Sequence, residues 1–145
     1  MRGFDIRLER VVEATPEEAF RHWVDAAARR GWYAPDEGSK VVASEADVRV
    51  GGSYRVSVVG PRDEPLYQED GTFEVVDPPN RVVYRSIMRM ADGRTVETRV
   101  TVTFQEHEGN TLLTLLDQGF TTEELRDEFE GGWPDFLNAY ERTLS

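Results

Sequence analysis

The sequence predicts an α+β domain in which a curved antiparallel sheet wraps around one long C-terminal helix, with two short helices after the first strand. Three observations lead there. Leu125, Phe129, Trp133, Phe136, Leu137, Tyr140 and Leu144 fall within an arc of about 120° when each residue advances about 100°, so a helix over 122–144 carries one broad apolar stripe. Val96, Thr98, Val100, Val102 and Phe104 alternate strictly with Glu97, Arg99, Thr101, Thr103 and Gln105, the period-2 pattern of a half-buried strand. Between Val41 and Gln118 the apolar runs are separated by turn formers rather than by helical segments, so the strands pair antiparallel and the helices are segregated from them.

Each element follows from local signals. Ile6, Leu8 and Val11 open the first strand. Thr15-Pro16-Glu17-Glu18 is a helix start: Thr15 caps, Pro16 occupies the first turn without losing a bond, and Glu18 reaches back as a capping box. Phe20, Trp23, Val24 and Ala27 form the helical stripe, broken once before Gly31, and Trp32-Tyr33-Ala34-Pro35 ends it. Strands are predicted at Val41–Glu45, around Tyr54, Val56 and Val58, through Tyr67, Gly71, Phe73 and Val75, at Val82–Met90, over 96–104 and at Thr111–Leu116. Gly60-Pro61-Arg62-Asp63, Asp77-Pro78-Pro79-Asn80, Ala91-Asp92-Gly93 and Glu108-Gly109-Asn110 are the turns between them. Gly51-Gly52 reads as a bend or bulge where the sheet curves. Thr121 is expected to cap the last helix, with Glu124 three residues on and Phe120 stapled to Leu125. Pro134 predicts a kink in that helix, and Gly131-Gly132 a close approach to the sheet. Such a kink would let the helix pivot, with Trp133 as a moving wall.

Composition narrows the functional classes. A chain of 145 residues fits one domain, 1–145, with no internal repeat or linker. There is no cysteine, and His22 and His107 are the only histidines, so thiolate chemistry is excluded and no metal site is expected. A net charge of −11 with interleaved arginines opposes binding to nucleic acid or anionic membranes. The start lacks the apolar core of a signal peptide, and no run is long enough to span a bilayer, which points to a soluble, cytoplasmic protein without membrane insertion.

A sheet wrapped around a helix leaves a hollow, and its concave face supplies the candidate ligand-binding residues. These are Tyr54, Tyr67, Glu69, Phe73, Tyr84, Met88, Thr98 and Asp117 from the sheet, with Ser86 in the same phase, and Phe129 and Trp133 from the helix. Glu69 shares the phase of Tyr67 and Phe73. Turned inward it would have a raised pKa and act as an acid or base, but an unpaired carboxylate is seldom buried, and the expectation is that it reaches water near the strand end. No nucleophile–base pair is identifiable, so no catalytic residue is assigned.

The series of motifs resembles the START-like, or Bet v 1-like, helix-grip superfamily (SRPBCC). Within it, the chain is similar to bacterial proteins resembling the C-terminal domain of the activator of heat-shock protein 90 ATPase. The matching segments are Thr-Pro-Glu-Glu-Ala-Phe at 15–20, Trp32-Tyr33-Ala34-Pro35, Asp47-Val-Arg-Val-Gly-Gly-Ser-Tyr-Arg at 47–55, Gly-Thr-Phe-Glu-Val at 71–75 before Pro78-Pro79, Asn-Thr-Leu-Leu-Thr at 110–114, and Gly132-Trp133. Tyr33 stands where the usual Trp-Trp pair has its second tryptophan. The resemblance implies a shared hydrophobic cavity rather than a shared catalytic set. It leads to the expectation of non-catalytic binding of a small apolar or amphipathic molecule, without cofactor, by a monomer or homodimer. The alternatives are a cyclase- or hydrolase-like enzyme acting on an aromatic or polyketide-like substrate in the same cavity, through Glu69, Asp117 or a tyrosine, and a chaperone-interaction module working through an exposed face.

Overall fold

The computed structural model describes residues 4–144. The order is β1 (Phe4–Val12), α1 (Pro16–Val24), α2 (Ala26–Arg29), β2 (Lys40–Ala46), β3 (Ser53–Val59), β4 (Pro65–Asp77), β5 (Arg81–Met90), β6 (Thr95–His107), β7 (Asn110–Phe120) and α3 (Glu123–Thr143). All seven strands form one sheet in the order β1-β7-β6-β5-β4-β3-β2, with every neighbouring pair antiparallel. This is the α+β helix-grip architecture: a curved sheet holding α3, with α1 and α2 inserted after the first strand. Residues Met1 to Gly3 of the expected charged start lie outside the described residues.

α3 meets the sheet along the stripe that the sequence predicts. Leu137, Ala139 and Tyr140 are buried, and Trp133, Phe136 and Leu144 pack on the main core. Leu125, Phe129 and Trp133 close a second, smaller cluster around Ile6, Val96 and Phe120. Trp23 of α1 stands where these groups meet: its ring is 6.1 Å from Trp133, nearly parallel at 16°, and 5.0 Å from Tyr140 at 72°. Each such aromatic pair adds roughly 0.5–1.5 kcal/mol beyond the area it buries.

The local expectations hold with three corrections. Val12, not Val11, turns inward, and Val11 is 47% exposed; β1 alternates through Ile6, Leu8, Arg10 and Val12 without interruption beyond Asp5. A register shift between Phe73 and Val75 moves the apolar phase of β4 by one position, so Val76 rather than Val75 packs on the core. A one-residue bulge exchanges the two faces of every residue beyond it. Thr122 rather than Thr121 caps α3, accepting the Leu125 N–H at 3.1 Å, so Glu124 does not complete a capping box. Gly51-Gly52 forms the expected bulge at the entry to β3: the Gly51 N–H donates to the Phe73 carbonyl at 2.8 Å and the Phe73 N–H to the Gly52 carbonyl at 2.9 Å, so two residues face one. Gly51 takes φ +83°, and a Cβ on Gly52 would lie 2.0 Å from the Asp47 carbonyl.

Gly71 shows a close approach that only glycine permits. It lies opposite Tyr54 on β3, and a Cβ there would fall 1.9 Å from the Tyr54 ring. Gly131 and Gly132 show the reverse: the helix is continuous through both and through Pro134, and a Cβ at either meets nothing within 4 Å. The expected close approach to the sheet is therefore absent. Gly131 is exposed, so Gly131→Ala should raise stability by about 1 kcal/mol through helix propensity alone. An increased urea midpoint with unchanged slope checks this; a decrease would show that the helix needs glycine here.

Candidate functional site

Between α3 and the concave face lies a cavity of about 200 Å³. β4 lines it with Tyr67 and Glu69, β5 with Ser86, Met88 and Met90, β6 with Val96, Thr98 and Val100, and β7 with Asp117. α3 contributes Glu128, Phe129, Gly132, Trp133 and Phe136, and the segment after α2 contributes Trp32 and Tyr33. Strand alternation explains the sheet contribution, because Ser86, Met88 and Met90, like Val96, Thr98 and Val100, lie two apart and share a face. At the rim, Arg94 of the β5–β6 hairpin grips Glu128 with two bonds of 2.9 and 3.0 Å, tying the hairpin to α3.

Seven of the ten candidates named from the sequence line this hollow: Tyr67, Glu69, Met88, Thr98, Asp117, Phe129 and Trp133. Tyr54, Phe73 and Tyr84 do not. They pack on one another deeper in the core, with ring centroids 5.4–6.2 Å apart. The concave face is longer than the cavity, and these three rings fill its closed end. Trp32, Tyr33, Met90, Val96, Val100 and Phe136 complete the wall, although nothing in the sequence singles them out for it. Their residue types read as core, which all but Met90 also are.

The polar groups form two centres. Glu69 is 5% exposed and accepts hydrogen bonds from Tyr54 Oη at 2.8 Å and from Ser86 Oγ. The expectation that it reaches water is thus corrected. Register explains the burial, because the β3–β4 and β4–β5 pairings bring Tyr54 and Ser86, both opposite Gly71, beside it. Arg29, whose sequence context is that of a solvated helix end, is fully buried. Its Nε donates to the Trp23 carbonyl at 2.9 Å, and its guanidinium lies 4.2 Å from the Tyr54 ring centroid, with Tyr33 and Tyr84 at 5.4 and 5.7 Å. Nη1 and Nη2 have no hydrogen-bond partner, so the aromatic faces and the Glu69 carboxylate offset the charge at a distance. Burial, then the Glu69 charge, push the hydroxyls of Tyr54 and Tyr84 up, so both remain protonated; Tyr54 donates to Glu69, and Tyr84 accepts from Trp23 Nε1 at 3.1 Å.

Asp117 is the second centre. It is 3% exposed; Oδ2 accepts from Trp133 Nε1 at 3.1 Å, the Thr98 hydroxyl acts on the same carboxyl, and Oδ1 lacks a hydrogen-bond partner. Burial raises its carboxyl to about 6, against the pull of the Thr98 and Trp133 hydrogen bonds, and the Glu69 and Asp5 charges push the same way as burial. Among the described residues, no group of three or more His, Asp and Glu side chains is placed to hold a metal ion, and no helix is long and apolar enough to cross a membrane. His22 contacts Thr143, and His107 lies on the surface near Glu108.

A seven-stranded sheet gripping a terminal helix, with a hollow between them, places the chain among the helix-grip folds. The model of the family described as "Activator of Hsp90 ATPase homolog 1-like protein" matches residues 13–145, and the chain belongs to that family. Solved structures agree on the fold. A protein of Chromobacterium violaceum superposes with a TM-score of 0.83 at 24% identity, over 97% of this chain and 96% of that one. The AHSA1-like protein of Aeromonas hydrophila gives 0.78 at 23% identity, over 97% and 91%. DynU16, a protein of the dynemicin biosynthetic locus, gives 0.73 at 21% identity, over 97% of this chain but 46% of the other. No curated protein sequence matches the chain significantly.

Proposed function

We propose that this protein is a single-domain, cytoplasmic binder of a small apolar or amphipathic molecule held between the sheet and α3, without cofactor and without catalysis. The observation that carries this reading is the cavity itself: about 200 Å³ walled by aromatic and aliphatic side chains, with a few fixed polar groups. Sites for small molecules are built this way, and the volume suits a ligand of one or two rings, below the roughly 300–1,000 Å³ of drug-sized pockets. With a net charge of −11, nucleic acid is not a partner; the protein acts as a monomer or homodimer.

Native mass spectrometry of protein purified gently from its host tests the proposal. A bound small molecule is expected on the wild type and absent from Met88→Trp, whose larger ring would fill the hollow from β5. An unliganded wild type in which Met88→Trp also leaves titrated apolar probes unaffected would remove the basis of the reading. The second reading, a cyclase- or hydrolase-like enzyme, draws on one observation: Glu69 and Asp117 line one cavity, with Asp117 raised to about 6, near the working range of a general acid or base. A chaperone-interaction module would instead act through an outer face and would be indifferent to Met88→Trp.

A further inference from the structure

Within this hollow the two carboxylates differ in how they are compensated. Glu69 has two hydroxyl donors and the buried Arg29 guanidinium within its field. Asp117 has one indole N–H donor and a Thr98 hydroxyl acting on it, an Oδ1 with no partner, and acids as its charged neighbours: Glu69 and Asp5 act on it, while Glu128 of the same cavity wall is itself paired with Arg94. Among the described residues, no cation stands with the groups that act on it most. A carboxylate placed so is under-satisfied, because buried acceptors are ordinarily filled and buried charges ordinarily paired. The same wall is lined by the aromatic side chains of Trp133, Trp32, Tyr33, Tyr67 and Phe136. Aromatic faces attract an ammonium group and repel an anion, and the chain's overall negative charge draws cations toward it.

We propose that the ligand is a small primary amine carrying an apolar ring or chain, its ammonium donating to the Asp117 carboxylate and its apolar part lying against the aromatic wall. The proposal rests on the ligand-binding reading and adds the charge and polarity of the occupant. The protein supplies a carboxylate on the cavity wall with one oxygen unpartnered, aromatic side chains beside it, and apolar volume for the remainder. An anion would meet the Glu69 and Asp117 carboxylates, and a neutral alcohol would leave the Asp117 charge unpaired.

Three probes of similar shape separate these cases: 2-phenylethylamine, 2-phenylethanol and 3-phenylpropionate, titrated by calorimetry into the intact protein at pH 7.5. The amine is expected to bind about tenfold or more tighter than the alcohol, because only the ammonium brings a charge opposite to that of the carboxylate, and the carboxylate probe not to bind. In Asp117→Asn, confirmed folded by its thermal transition, the amine should fall to the level of the alcohol while the alcohol changes less than about threefold. Equal binding of amine and alcohol to the wild type, or an amine preference that survives Asp117→Asn, overturns the assignment of an amine yet leaves the cavity as a binding site. Failure of all three probes to bind overturns both.

Discussion

Glu69→Gln is expected to destabilise the protein by about 3 kcal/mol, although glutamine keeps the size and one acceptor oxygen of the original side chain. The cost arises at Arg29. Its guanidinium has a single hydrogen bond, to the Trp23 carbonyl, and otherwise lies among the rings of Tyr33, Tyr54 and Tyr84, with Glu69 as the acidic group acting on it. Neutralising Glu69 leaves that cation buried without an opposing charge, the situation that makes removing one member of a buried charged set costly. Arg29→Met should likewise destabilise, by exposing the Glu69 carboxylate to the same deficit. The double variant Arg29→Met/Glu69→Gln should then cost clearly less than the sum of the two, because both charges leave together. Urea denaturation of the four proteins measures the coupling; strict additivity would mean that the two groups do not sense each other.

Asp117→Asn should act in the opposite direction, stabilising the unliganded protein at alkaline pH. Burial raises the Asp117 carboxyl from 3.8 to about 6. A group held above its unfolded value binds its proton more tightly when folded. The associated stability is full below about pH 4 and is lost as pH rises through about 6. A carboxyl that releases its proton about two pH units later when folded than when unfolded corresponds to about 3 kcal/mol, so at pH 8 the ionised wild type is weaker by up to that amount than a chain with no charge at this position. Asparagine keeps an acceptor for Trp133 and Thr98. The stability difference between variant and wild type should thus be largest at pH 8 and shrink steadily toward pH 4.5. A difference that stays constant across that range would show that the carboxyl does not titrate between them.

Whether a feature is legible in the sequence depends on whether its signal is local. The grip of α3 is written in seven residues at helical spacing, and β6 in strict alternation, so both can be read from short windows. The bulge between Phe73 and Val75 has no local signature, and it moves the inward apolar position from Val75 to Val76. Arg29 follows three alanines and precedes Arg30 and Gly31, the ordinary end of a solvated helix; its burial depends on the Tyr54 ring, 25 residues away on another strand. A lone carboxylate at Glu69 would be expected to reach water, and its partners Tyr54 and Ser86 are supplied only by strand register. The candidate residues drawn from phase lie on the correct face. Phase alone does not show that Tyr54, Phe73 and Tyr84 fill one end of it.

The pairing of the first strand with the last has a consequence during synthesis. β1 lies against β7, from Phe4 opposite Phe120 to Val12 opposite Thr111. At typical elongation rates of about 5–20 residues per second, β1 waits on the order of ten seconds for its partner to emerge. α3, which covers the apolar face of the sheet, arrives later still. Until then the nascent chain presents an unpaired edge and an uncovered concave surface, both of which invite association with other chains. The same late-arriving segment that encloses the hollow is therefore the one whose truncation or delayed release should send newly made protein into aggregates.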